Sequence, residues 1–300
     1  MRETVVLIGA GGKMGGRIAD NFVRLADAEP GTREPTAAVR PGVMRAGPYD
    51  VVYCEKADAG IARLRDKRLT VTPSEEAVPQ ADLIVLAVPD ALIGSISSAL
   101  VPLARPGAVV VFLDPAAAAL GEVAMRDDLN YVACHPCHPP MFYDQPTPEA
   151  RKDFFGGIAA VQDIVIALVH GTEEAFNSAQ KLCRVMFAPV RNSHRITVEQ
   201  MAVLEPAMAE VVAASAACLM RDAMEEAIKA GVPREAAHAF MMGHAQIALA
   251  IAFGAISSPF SDAAKVAIRW GSDKIFKPDW RRVFEPEEIR AVLTEMIHPA

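Results

Sequence analysis

A short apolar strand that runs straight into five glycines in eight residues, and from there into a helix, constrains this chain more than any other feature. Val5-Val6-Leu7-Ile8 gives way to Gly9-Ala10-Gly11-Gly12-Lys13-Met14-Gly15-Gly16, and Arg17–Ala26 follows with helical spacing. The run fits Gly-x-x-Gly-x-x-Gly from Gly9, and also a stretched Gly-x-Gly-x-x-x-Gly. Its position gives it weight. Glycines between a strand and a helix allow a tight turn, and they let backbone N–H groups at the positive helix end close on a pyrophosphate. A plain turn needs fewer. Gly9, Gly11, Gly12, Lys13, Met14 and Gly15 therefore form a predicted anion-binding turn.

The rest of the first half repeats the same alternation. Val51–Cys54, Leu83–Val88, Val109–Leu113 and Tyr131–Cys134 are β-branched or apolar runs separated by helical stretches, and Ile158–Val161 and Ile164–Val169 look like two more strands. Near-continuous apolar strands of this kind belong to a parallel sheet covered on both faces. From about Thr197 the strand signal disappears, and Ala, Met and Glu recur at helical spacing. The expected fold is α/β: a Rossmann-type, doubly wound parallel sheet over residues 1–194, then an all-α domain over 195–300. The boundary is placed in the polar stretch Arg191–Arg195.

Charge and cysteine content narrow the function. Thirty Lys+Arg against 37 Asp+Glu give a net charge of −7, with no dense basic run, which argues against a nucleic-acid binder. Five cysteines without an export signal read as reduced thiols in a cytoplasm. Ala236–Ser261 lacks Asp, Glu, Lys and Arg, but His238, His244, Gln246 and the Ser257-Ser258-Pro259 break point to a buried helix of a soluble protein rather than a membrane span.

A dinucleotide fold places an acid at the end of its second strand for the ribose hydroxyls. Glu55 fits, although it lies 46 residues beyond Gly9 against an expected ~20. Ala28–Pro48, with four prolines and three glycines, reads as an inserted loop of 21 residues, and without it the spacing falls to 25. A carboxylate there repels a 2′-phosphate and favours NAD over NADP, while Arg33, Arg40 and Arg45 in the insertion could fold back and oppose it. Val88, Pro89 and Asp90 end a strand on the expected nicotinamide side.

Cys134-His135-Pro136-Cys137-His138-Pro139-Pro140 holds the densest reactive chemistry. As a haem attachment it would need export. Five residues cannot wrap one tetrahedral zinc ion, and three prolines exclude the helix that a redox dithiol precedes. What is left is a stiff loop at a strand end, presenting His135 and His138 as general base or as ligand to a catalytic divalent ion. On the helix from Thr197, Glu199 and Glu210 fall within about 20° of each other on an ideal helix, whereas Glu205 lies roughly 120° away among Val198, Met201, Met208 and Val212. A carboxylate in an apolar stripe is paired, protonated or metal-bound. His244, beside Gly243 in the charge-free stretch, is a further candidate.

Taken together, these residues resemble the D-apionate oxidoisomerase family, of the short β-hydroxyacid and 6-phosphogluconate dehydrogenase type. The resemblance runs through Gly9–Gly15, Ala87-Val88-Pro89-Asp90, His135–Pro140, Asp153–Ala160, Ser193–Met201 with Leu204-Glu205-Pro206, and Phe276–Trp280. It implies an NAD-dependent oxidation of a sugar acid coupled to an acyloin-type shift, D-apionate to 3-oxo-isoapionate, chemically akin to ketol-acid reductoisomerase run backwards. Such a shift calls for a Lewis acid and a base. His135 and Glu205 are the expected ligand pair, zinc being favoured over magnesium because of the imidazole, and His138 or His244 is the expected proton carrier. Three alternatives compete. A plain 3-hydroxyacid dehydrogenase would place Lys and Asn on the first helix of the second domain, and Thr197–Arg221 has neither. A prephenate-dehydrogenase-like decarboxylase would need a cationic clamp for two carboxylates. An NAD-sensing protein would have no use for a buried acid beside histidines. The apolar C-terminal helices further predict a homodimer.

Overall fold

The computed structural model describes residues 2–28 and 42–299. Its first compact unit comprises Met1–Ala202 together with Leu293–Ala300, and its second Val203–Val292.

The first unit is built on one eight-stranded sheet in the order β2-β3-β1-β4-β5-β6-β7-β8. In chain order come β1 (Glu3–Ile8), α1 (Lys13–Ala28), β2 (Val43–Ala46), β3 (Tyr49–Cys54), α2 (Asp58–Asp66), α3 (Ser74–Ala77), β4 (Leu83–Leu86) and α4 (Asp90–Leu100). These are followed by β5 (Val109–Phe112), α5 (Ala116–Ala119), β6 (Asn130–Pro136), β7 (Gln162–His170), α6 (Glu173–Met186), β8 (Val190–Arg195) and α7 (Val198–Ala202). The strands β3, β1, β4, β5 and β6 are mutually parallel, so the βαβ reading holds for the centre of the sheet. Every residue of β4 and β5 is buried, which is why they read as unbroken Val, Leu and Ile runs. The α1 helix covers the sheet with Ile18, Ala19, Phe22 and Ala26.

The sheet departs from the expected all-parallel form at its ends. Part of the predicted insertion, Val43–Ala46, is β2, which pairs antiparallel with β3 across the Gly47-Pro48 turn. Arg45 lies on it, whereas Arg33 and Arg40 lie outside the described residues. β7 runs antiparallel to β6. The polar stretch Arg191–Arg195, read as a domain boundary, is the edge strand β8. With neither face buried, it lacks the apolar alternation that marks a strand. Ile158–Val161 is not a strand at all. The N–H groups of Ile158, Ala159 and Ala160 converge on the Asp153 carboxylate, at 3.0, 3.0 and 3.2 Å, instead of on a neighbouring strand.

The second unit begins with a π-helical run, Val203–Ala214, that continues the chain from α7 and is followed by α8 (Ser215–Lys229), α9 (Arg234–Ala252) and α10 (Asp262–Ile275). The last helix, α11 (Pro286–Ile297), ends in residues that belong to the first unit. Pro206 explains the wide turn: it has no N–H to give to the carbonyl four residues back, and its ring crowds that carbonyl. The 100° spacing used to place Glu205 on the helix therefore stops applying at Ala202. The charge-free stretch Ala236–Ser261, expected to be a buried helix, is mostly α9. Only Ala237 and Ala250 of that helix are buried. The continuous run Val198–Lys229 is long and apolar enough to cross a bilayer by length and composition alone.

Candidate active site

At the carboxyl ends of β1, β3 and β4 lies a cavity of 840 Å³ whose lining includes Gly9, Gly12, Glu55, Val88 and Pro89. Gly9 and Ala10 both donate their N–H to the Cys54 carbonyl, at 2.9 and 3.1 Å, which ties the glycine loop to the end of β3. Gly9 has φ +76, and a Cβ there would meet the Ala87 carbonyl oxygen at 2.4 Å. Both facts require glycine at this point. Glu55 accepts hydrogen bonds from the Gly11 N–H at 2.9 Å and from the Lys56 and Ala57 N–H groups at 2.9 and 3.0 Å. Gly11 and Lys13 line a second cavity of 460 Å³ with Arg17, Arg63 and Lys67. Met14 packs against the sheet core, and Gly15 is buried at the start of α1.

The ends of β4, β5 and β6 assemble a second set of groups. His135, on β6, directs Nδ1 at the Leu113 carbonyl, 2.8 Å away. A carbonyl only accepts, so Nδ1 carries a proton there. Asp114, just past β5, accepts the Ala116 N–H at 2.7 Å and presents a carboxylate within 4.8 Å of a His135 ring nitrogen. Asp90 opens α4 near both. Burial, reinforced by the Asp114 charge and partly offset by His135, pushes its carboxyl up to about 6. An imidazole oriented by a backbone carbonyl beside a carboxylate is the donor set of a divalent-metal site, so the residues present fit such an ion.

His138 is placed by the segment that follows it. It sits at φ +60, and its Nδ1 donates to the Phe155 carbonyl at 3.0 Å. Its ring lies 6.2 Å from that of His135. Phe155 is anchored through Asp153, whose carboxylate also accepts from Arg17 of α1 at 3.2 Å, and through Asn21, which donates to the Gly157 carbonyl at 3.1 Å. Burial raises the Asp153 carboxyl, but three backbone N–H donors and Arg17 outweigh it and hold the group below its usual range. The Lys13 ammonium rests 3.8 Å from the centre of the Phe155 ring. A chain of contacts thus joins the glycine loop to His138 and His135 within the first unit.

The other two candidates belong to the second unit. Glu205 lies in the π-helical run, half-buried. His244 stacks on Phe240 at 3.8 Å and donates from Nδ1 to the carbonyl of the same residue at 2.9 Å, so it is engaged by its own helix α9. Asp114 was not singled out from the sequence. The available signal was positional: it ends a buried strand at the same sheet edge as Asp90 and His135.

Comparison with known proteins follows the same lines. A family model for the C-terminal part of decarboxylating phosphogluconate dehydrogenase matches residues 143–297. The D-apionate oxidoisomerase of Rhizobium rhizogenes (strain K84) is 42% identical over 288 residues, covering 96% of this chain and 97% of that one. The enzyme of that name from Cupriavidus necator (strain N-1) is 41% identical, again over 96% and 97%. A crystal structure described as a semialdehyde dehydrogenase NAD-binding protein from Cupriavidus necator, in complex with calcium and NAD, superposes with a TM-score of 0.88. It is 40% identical and covers 99% of this chain and 100% of the other. An NADH-preferring ketol-acid reductoisomerase from an uncultured archean shares the fold at a TM-score of 0.67 and 16% identity, over 98% of this chain and 82% of that one.

Proposed function

Because this chain belongs to the D-apionate oxidoisomerase family and is an NAD-dependent oxidoreductase, we propose that it converts D-apionate to 3-oxo-isoapionate at the sheet edge holding Asp114, His135 and His138. The observation that carries this reading is the His135 ring, whose Nδ1–H is fixed on Leu113 O, with a ring nitrogen within 4.8 Å of an Asp114 carboxylate oxygen.

Glu205 is assigned as a further ligand. It follows Ala202 by three residues on the same helical run, and Val198–Ala202 packs on α5 and β7, which adjoin Asp114 and β6. Zinc is the preferred ion on the strength of the imidazole, ahead of magnesium; calcium, found with the Cupriavidus protein, is the comparison to make. When bound, NAD would supply the hydride acceptor for oxidation at C2, and a cation held there would supply Lewis acidity toward the carbonyl. The chain's own residues manage protons and position. His138, whose Nδ1 is held by the Phe155 carbonyl, is assigned to take the proton of the C2 hydroxyl through Nε2. It is also assigned to take the proton of the C3 hydroxyl as the hydroxymethyl carbon moves from C3 to C2, and to return that proton to the C2 oxygen. Overall, one hydride and one proton leave the substrate. Lys13, Glu55 and the glycine loop hold the dinucleotide.

Two coarser assignments complete the reading. The exposed apolar residues of the second unit, among them Phe240 at 66% and Trp270 at 68%, support a homodimer through the C-terminal helices. Five free thiols support a cytoplasmic protein.

Metal analysis of the purified protein, together with Glu205→Gln, tests the reading. The variant is expected to lose turnover and bound metal while its affinity for NAD stays within about twofold. A fully active variant, or a metal-free protein that turns over D-apionate in chelator, would overturn it.

A further inference from the structure

The first turn of α2 is pressed onto the glycine loop more closely than a phosphate-binding turn requires. A Cβ on Gly11 would meet the carbonyl oxygen of Gly60 at 2.4 Å and its Cα at 2.5 Å, so the two backbones touch. A Cβ on Gly60 would in turn meet the carboxyl carbon of Glu55 at 2.6 Å and Oε2 at 2.7 Å. Glu55 thus passes through the volume that a side chain at position 60 would fill, and by that route Oε2 reaches the Gly11 N–H. The other oxygen is held by the Lys56 and Ala57 N–H groups, so three donors fix the carboxylate on the rim of the 840 Å³ cavity. Gly60 is buried within α2 and its φ is outside the left-handed region, so its own backbone conformation does not call for glycine. Glycine is a poor helix former, which leaves the space taken by Glu55 as the reason for its presence.

We propose that Gly60 is a positioning residue for dinucleotide choice: by having no side chain it lets Glu55 hold its carboxylate at the ribose end of the cavity, where it accepts the ribose hydroxyls and repels a 2′-phosphate. The proposal rests on the NAD reading above. Lys56 and Arg63 line the same rim, Arg63 donating from Nε to the Gly11 carbonyl at 2.7 Å. Both are cations that a 2′-phosphate could approach once the carboxylate is displaced. The atoms a Gly60 methyl would strike form the end of a flexible side chain and not backbone, so Gly60→Ala moves Glu55 and leaves the fold standing.

The test is a double-mutant cycle on the whole protein, with NAD and NADP each titrated and thermal unfolding recorded. Gly60→Ala is expected to weaken NAD about tenfold, the worth of one charge-assisted hydrogen bond. It should also shift the NAD-to-NADP preference toward that of Glu55→Ala, with kcat at saturating NAD within about twofold and Tm unchanged or higher, because alanine favours the helix. Placed in the Glu55→Ala background, where no carboxyl remains to be displaced, Gly60→Ala is expected to leave the preference unchanged and to shift Tm only upward, by the helix gain of alanine. A glycine needed only for packing would lower Tm equally in both backgrounds and weaken both dinucleotides alike; that result overturns the proposal, as does an unchanged preference in the single variant. A wild-type protein that binds NADP as well as NAD would instead overturn the NAD reading, and the proposal with it.

Discussion

The sheet unit and the helical unit solve the problem of burial in opposite ways. In Met1–Ala202 the chain hides its own apolar residues: Val5, Leu7, Val85, Val111 and Ile166 are fully buried, and helices close over the strands. In Val203–Val292 the helices α8 and α10 bury no residue at all, while Phe253, Trp270 and Phe240 are more exposed than not. Apolar side chains left in water are unfavourable, at about 25 cal/mol per Å². The difference teaches that the cavity beside the glycine loop is lined by the first unit alone, whereas the second leaves much of its apolar side-chain surface exposed. Single polar changes in the first unit should therefore act on the chemistry, and changes to the apolar surface of the second should act on assembly.

The largest effect is expected at His135. His135→Ala removes an oriented imidazole, and His135 is not among the residues that line the 840 Å³ cavity. Turnover of the sugar acid should fall by about 10²- to 10⁴-fold, while NAD affinity measured by titration stays within about twofold. Equal losses in both would show that pocket and reaction centre are not separable, and the self-sufficiency of the sheet unit would fail as an explanation.

A smaller effect is expected from charging the helical surface. Phe240→Glu with Trp270→Glu leaves every sheet residue in place, and each site is already largely exposed in the single chain. Light scattering should show the mass falling from two chains to one, with a Tm loss of several degrees because assembly stabilises the native state. A wild-type protein that is already monomeric, or a variant that stays dimeric, would show that these helices are not the covered surface.

Legibility in the sequence follows the same division. The buried strands announced themselves through unbroken apolar runs, and the glycine loop through its position between strand and helix. The features that escaped are those in which a polar group replaces a regular pattern. β8 is an edge strand whose exposed residues show no alternation, and 158–160 satisfies its backbone on the Asp153 carboxylate instead of a neighbouring strand. β2 lay inside a Pro- and Gly-rich stretch that reads as loop. At the candidate site, His135 and His138 stood out because histidines and prolines cluster there. Asp114 did not, because a single acid after a strand looks like an ordinary turn until Asp90 and His135 are seen to share its sheet edge. The helix phase of Glu205 could not be read correctly, since Pro206 widens the turn just where an ideal helix was assumed.

The smallest effect is expected where the sheet unit itself is least covered, at the β7–β8 edge. Asp163 accepts two hydrogen bonds from Arg191 at 3.0 Å, one from the Asn192 N–H at 3.1 Å and one from His194 Nε2 at 3.1 Å. Led by the Arg191 guanidinium and against the opposing pull of burial, these hold its carboxyl far below the usual range. A depressed native pKa adds stability that is fully present above the unfolded value of about 4 and is lost as pH falls through the native one. Because Arg191 is well exposed, water screens the pair, and Asp163→Asn should cost only about 1 kcal/mol at pH 7. That is a Tm loss of about 2–4 °C, with NAD affinity unchanged. Thermal unfolding across pH should show the two proteins drawing together below about pH 4, as the wild-type carboxyl takes up its proton. A gap that persists undiminished in acid would mean that the asparagine disturbs the packing of β8, and that this edge is held by shape and not by charge.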